Sequence, residues 1–291
     1  MTISIFKKLF LYCILVIWAT TTIFPVGWAF LMSIKEPEDA FTYPPTLFSK
    51  TGPTFDNYIA VLFPEYAHTR PDIKSPPIQV YIWKNIRNSV LVAFCTTMIT
   101  LFCSILGAYA FSRFSFKAKT SFGMGLLVTR MLPPVALIIP LYLFAISTGL
   151  FDTVIILILS YSALLIPLNI WILKDFFDLA PKELEEAAAI DGCSRIKALA
   201  LIVIPLVRPG LAAVAVLTFL ASWNEFALAL TLTGEKAATL PLITMQYVAE
   251  QGTFWGPISA TCMLILGPGL VFVLLAQKHI IKGLTLGAIK G

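Results

Sequence analysis

The sequence predicts an all-α integral membrane protein with six transmembrane helices, and three observations carry that prediction. The first is composition. Of 291 residues, 58% are hydrophobic and 13% charged, whereas soluble globular chains are about 45–50% apolar and about 25% charged. The mean hydropathy, +0.86, points the same way. The second is a set of six apolar runs, each near the roughly 20 residues needed to cross about 30 Å of hydrocarbon. The third is the uneven distribution of Lys and Arg between the loops on the two sides. The net charge of +5 is read as topology, because the basic residues flank apolar runs and form no stripe suited to nucleic acid.

Lys7 and Lys8 precede the first run, Leu9 to Met32. A secretory signal has a shorter apolar core of about 7–15 residues and a small-residue cleavage site. This run is longer and ends Trp-Ala-Phe-Leu-Met, so it is read as a retained span. Residues 33–84 form a loop too rich in proline to cross the bilayer, with Pro44-Pro45 and Pro76-Pro77 among its prolines. A short helix is expected near Phe55 to Leu62, and aromatics such as Tyr66, Tyr81 and Trp83 suit a membrane interface. The chain therefore divides into residues 1–84, a span plus a loop expected to be extracytoplasmic, and residues 85–291, a domain that holds the remaining runs.

Five more runs follow, near 86–111, 122–146, 152–173, 206–232 and 257–277. An even number of spans places both termini on one side. That side carries Lys7 and Lys8, then Arg113, Lys117 and Lys119, then Lys174, Lys182, Arg195, Lys197 and Arg208, then Lys278, Lys282 and Lys290. The short loops of the other side carry Lys236 alone, so the basic side is expected to be cytoplasmic. The cysteines Cys13, Cys95, Cys103, Cys193 and Cys262 form no C-x-x-C pair and read as small buried hydrophobes, without a disulfide framework or a metal site. No G-x-x-x-x-G-K-[ST] phosphate loop occurs, so the chain is expected to bind no ATP by that device and no cofactor of its own.

Residues 181–205 are a polar island between apolar runs. Pro181 suits a helix start, and Glu183, Glu185 and Glu186 place negative charge near the positive end of the helix dipole. Ala187, Ala188 and Ala189 keep the helix narrow, and Gly192 can break it. A short amphipathic helix presented between membrane spans suits docking into a partner's cleft. The order Glu186-Ala187-Ala188, Gly192, then Ile202-Val203-Ile204-Pro205 resembles the EAA loop of ABC-transporter permease subunits, with Ile204 in place of the usual Leu. Ser222-Trp223-Asn224-Glu225-Phe226 and the tail from Leu274 to Gly291, which includes the cytoplasmic segment 278–291, resemble the maltose-type carbohydrate importers, in particular the shorter of their two paired permeases. The resemblance is firm from about residue 85 onward and loose over 1–84.

The resemblance implies the transmembrane domain of a type I ABC importer in a bacterial plasma (inner) membrane. It implies a second permease subunit as heterodimer partner, two ATPase subunits that hold ATP and Mg, and an extracytoplasmic solute-binding protein that delivers a carbohydrate. It further implies an ATPase-coupling role for Glu185, Glu186, Ala187, Ala188, Asp191 and Gly192, and ATPase contact for Ala288, Ile289, Lys290 and Gly291. The chain would transport and not catalyse.

Charged and polar residues inside the runs suggest a pathway. Arg130 lies eleven residues beyond Lys119, ~16 Å along a straight helix. Glu225 lies seventeen beyond Arg208, or ~25 Å. Intramembrane charges usually face a bundle interior or water, so Arg130 and Glu225, with Asn169 and Asn224, are candidates to line a cavity or to pair structurally. An ion-coupled secondary transporter is the alternative, and Glu225 is its one candidate carboxylate.

Overall fold

The computed structural model describes the chain except residues 1–4, 43–45, 50–51, 72, 74–75, 77–79, 250–251 and 289–291; for 5–6, 41, 249, 275–276 and 278–288 it describes the backbone alone. In chain order the helices are α1 (Ile5–Ser33), α2 (Asp56–Leu62), α3 (Pro64–Thr69), α4 (Ile82–Arg113), α5 (Lys119–Met131), α6 (Ile138–Ser147) and α7 (Val154–Leu179). Then come α8 (Lys182–Ile190), α9 (Arg195–Ala198), one π-helical turn (Leu199–Val203), α10 (Ile204–Leu206), α11 (Arg208–Trp223) and α12 (Ala227–Leu232). After α13 (Ile243–Gln246), strands β1 (Val248–Ala249) and β2 (Gly252–Thr253) form a minimal antiparallel ladder, and α14 (Trp255–Ala288) closes the chain.

The chain divides into two compact units, residues 1–84 with 243–267 and residues 85–242 with 268–291. In the first unit, α1 is apolar along its length, and the hydroxyls of Thr20, Thr21 and Thr22 bond back to carbonyls one turn earlier. No hydroxyl of this trio is left unpaired where water is absent. The loop after α1 is anchored by Asn57 of α2, whose amide donates to the carbonyls of Ser33 (3.0 Å) and Lys35 (2.7 Å). A Cβ at Gly256 would lie 2.3 Å from Asn57 Oδ1, so only glycine fits at the start of α14. Helix α2 falls where the sequence placed a short helix.

Among the described residues, two apolar clusters hold the second unit. One gathers Val92 of α4, Ile156, Leu157 and Tyr161 of α7, and Leu228 and Leu232 of α12. The other gathers Ala108, Leu173, Phe177, Leu199, Val203 and Val214. Helices α4 and α7 run parallel: Val92 clusters with Ile156, Ser104 donates to the Ile166 carbonyl, and Gly107 lies against Ile170. The segment after α12 is tied down at both ends. Asp152, at φ +58°, accepts from the backbone N–H groups of Gly234 (2.9 Å), Lys236 (3.1 Å) and Ala237 (2.9 Å). Asn88 donates to the carbonyls of Lys236 and Ala238, and Ser89 accepts from Leu240 N–H.

Among the described residues, four helices are long and apolar enough to cross a membrane unbroken, or up to six spans result if each of two bent pairs counts as one. The six runs of the sequence reading are met when each bent pair is counted as one span, but two of the runs are not single helices. Run 122–146 is α5 followed by a 3₁₀ turn and α6, bent by 94°. Pro133 and Pro134 sit at the break, where neither can donate and the residue before each is driven out of the helical region. Run 206–232 is not one helix either. The chain turns by 81° at Val207, with Pro209 in the first turn of α11, and breaks again at Asn224–Phe226. The cysteines also differ from expectation: Cys13 is exposed and the other four are half-buried.

Candidate functional site

Helix α8 runs from Lys182 to Ile190 with Pro181 at its N-cap and Glu183 and Glu185 in its first turn. Its C-terminus closes on Gly192 at φ +82°. Cys193 N–H bonds to the Ala188 carbonyl (2.8 Å) and Gly192 N–H to the Ala189 carbonyl (3.1 Å). This paired pattern, one bond reaching five residues back around another reaching three, is the Schellman closure, which needs a left-handed residue at the turn. Ser194 then caps α9 by accepting from Lys197 N–H. The π turn follows because Pro205 has no N–H to complete an ordinary turn, and the wider ring clears its bulk.

No residue of α8 is fully buried. Glu186, Ala187 and Asp191 are exposed and Ala188 is half-buried. Two large apolar side chains stand clear of the loop, Ile190 at 87% exposure and Ile196 at 80%. Glu185 alone among the acidic residues of α8 turns inward. Its Oε1 accepts from Arg113 Nε (2.5 Å) and its Oε2 from the Tyr109 hydroxyl (2.8 Å). Both side chains of that ion pair are almost enclosed, at 7% for Arg113 and 13% for Glu185. Arg113 also donates to the Ala180 carbonyl (2.9 Å) and to Ser112 Oγ (3.0 Å). Ser112 donates to Asp178, which in turn pairs with Lys174. A cleft of about 210 Å³ opens beside this network, lined by Arg113, Lys182, Glu185, Glu186 and Arg195 among others. Tyr109 and Arg113 were not singled out as site residues in the sequence, where Arg113 counted only as one of the basic residues that set topology.

The pathway candidates occupy different settings. Arg130 is exposed in the last turn of α5, next to the 94° bend, so the depth inferred from a straight helix does not apply to it. Its guanidinium reaches the Leu164 carbonyl at 3.5 Å. Asn169 is buried and donates to Thr218 Oγ1 (2.7 Å), joining α7 to α11. Asn224 ends α11 and bonds back to the Leu220 carbonyl. Glu225 lies in the break beyond α11 and not within a helix. It accepts from the Tyr161 hydroxyl (2.8 Å) and from Leu228 and Ala229 N–H (2.9 and 3.1 Å), and so caps α12. Of the tail residues expected to contact the ATPase, Ala288 is the last residue of α14, while Ile289, Lys290 and Gly291 lie outside the described residues.

Comparison with known proteins places this architecture. The chain is 34% identical over 290 residues to the trehalose/maltose transport system permease protein MalG of Thermococcus litoralis, covering 99% of each chain. It is 30% identical over 270 residues to the diacetylchitobiose uptake system permease protein DasC of Streptomyces coelicolor, covering 92% of each. The fold is similar to that in the crystal structure of a bacterial ABC transporter involved in the import of the acidic polysaccharide alginate. The TM-score there is 0.76, with 20% identity over 96% of this chain and 99% of that one. Residues 102–285 match the family described as binding-protein-dependent transport system inner membrane components. With its broken apolar helices, its exposed loop helix and relatives aligned over almost its whole length, the chain belongs to that family, the membrane-embedded permease subunits of ABC importers.

Proposed function

We propose that this permease carries a carbohydrate, delivered by an extracytoplasmic binding protein, through a pathway formed with a second permease subunit. Two ATPase subunits that bind ATP and Mg dock on the loop around α8. The observation that carries the docking is the exposed surface of α8 and its flank. Ile190 and Ile196 stand out in solvent on a loop whose inner side is fixed by Glu185 and Arg113. An exposed short helix held from its inner side, with large apolar side chains at its end and on its flank, suits the groove of a partner. The carbohydrate class is supported by the names of the relatives above, which read trehalose/maltose and diacetylchitobiose.

The cycle is alternating access. Closure of the ATPase dimer on ATP moves α8, the spans open outward, and hydrolysis resets them. The ion-coupled alternative needs a carboxylate free to take a cation. Glu225 instead accepts from Tyr161, Leu228 and Ala229. The test is uptake of labelled trehalose, maltose and diacetylchitobiose by cells with and without the cognate ATPase. Uptake of one of them that vanishes without the ATPase and survives a protonophore for as long as ATP lasts is expected. Uptake that persists without the ATPase would overturn the proposal.

A further inference from the structure

Helix α8 has one covalent mount on its upstream side, the extended link at Ala180 (ψ 125°) and Pro181 (φ −58°, ψ 129°). A two-residue extended link is a swivel unless something stiffens it. Arg113 occupies the place where stiffening has effect. Its Nη2 holds the Ala180 carbonyl on the link itself (2.9 Å), and its Nε holds Glu185 in the first turn of α8 (2.5 Å). Tyr109, one turn earlier on α4, takes the other Glu185 oxygen (2.8 Å). The planar guanidinium fixes direction as well as distance. Ser112 completes the set by bonding to Asp178 near the end of α7. Glu186, the next residue, faces outward and takes no part.

We propose that Arg113 is a positioning residue, which locks α8 to the ends of α4 and α7 through Glu185 and the Ala180 carbonyl, so that force received by α8 reaches both spans. Glu185 therefore serves the inside of the subunit, and Glu186 is left for a partner. This rests on the reading of α8 as the ATPase-docking helix. Without the lock the ATPase still grips α8, but the helix swivels and the spans do not follow.

The experiment uses the assembled complex with all native cysteines replaced and spin labels at Lys117→Cys and Glu183→Cys, both exposed positions. In the parent complex the label-to-label distance should agree within about 2 Å between the nucleotide-free and ATP–vanadate states, the scale of a small helix shift. With Arg113→Gln the distance distribution should broaden, and the ratio of ATP hydrolysed to sugar taken up, read with whichever of the three sugars above the parent transports, should rise about tenfold while the ATPase still co-purifies. If Arg113→Gln does not assemble, Tyr109→Phe, which removes one bond and no charge, carries the same two measurements with a smaller rise. An assembled variant with unchanged distances and an unchanged ratio would overturn the lock, as would a parent distance that moves by much more than 2 Å. Failure of the parent complex to couple hydrolysis to uptake would instead count against the function proposed above, since the label distances are read without any sugar.

Discussion

Gly192 carries the turn that ends α8, at φ +82°, with open space where a Cβ would project. Its constraint is therefore backbone conformation and not crowding. Gly192→Val should cost about 1–2 kcal/mol, the penalty of a left-handed conformation for a residue with a bulky Cβ. Gly192→Asn should cost less, since Asn tolerates that region. Thermal unfolding of the purified complex and ATPase co-purification check both, and equal behaviour of the two variants would contradict this account. The role of Gly192 was legible in the sequence because a helix stop is a local signal. The partnership of Glu185 with Arg113 was not, because the two residues are 72 positions apart and meet only once α4 and α7 are packed. Nor did the sequence separate Glu185 from Glu186: adjacent acids on a helix point about 100° apart, and only packing decides which one faces inward.

At the scale of elements, the apolar runs reported where membrane-spanning material lies but not where it breaks. Hydropathy sums over a window and is blind to direction, whereas Pro133-Pro134 and Pro209 act at single bonds. The segment after α12 shows a second device the sequence hid, a single carboxylate gathering three N–H groups of a turn. Burial alone would raise the Asp152 pKa, but the N–H groups of Ala237, Lys236 and Gly234 outweigh it and hold the carboxyl below its ordinary value. A depressed pKa stabilises the fold above the unfolded value, about 3.9, and that contribution fades as pH falls through the lower folded value. Asp152→Asn keeps the size and the tolerance for φ +58° but loses the charge. It should lower stability at pH 7 by about 1 kcal/mol, less than a buried charge-assisted hydrogen bond is worth, because solvent screens this site. The gap between the two proteins should narrow in melts run below roughly pH 4. A gap independent of pH would show that the carboxylate charge is not the cause.

For the whole molecule, the charge asymmetry and the family together make a prediction about sidedness. A cysteine at Ser194, beside α9, should react with an impermeant maleimide only from the cytoplasmic side. One at the exposed Glu235, between α12 and α13, should react only from outside. Labelling of Ser194→Cys in intact cells would invert the topology. On the outer side predicted for it, the turn around Glu235 would also meet external proteases. Lys236 there is an exposed basic residue of the kind trypsin cleaves after. A protease must draw several residues into an extended shape, and burial and hydrogen bonding of the backbone oppose that. The N–H of Lys236 is held by Asp152 and its carbonyl by Asn88, so the peptide is not free to be drawn out. Externally added trypsin should therefore spare Lys236 in the parent protein and nick it in Asp152→Asn. The carboxylate that shapes the turn is also what shields it from digestion.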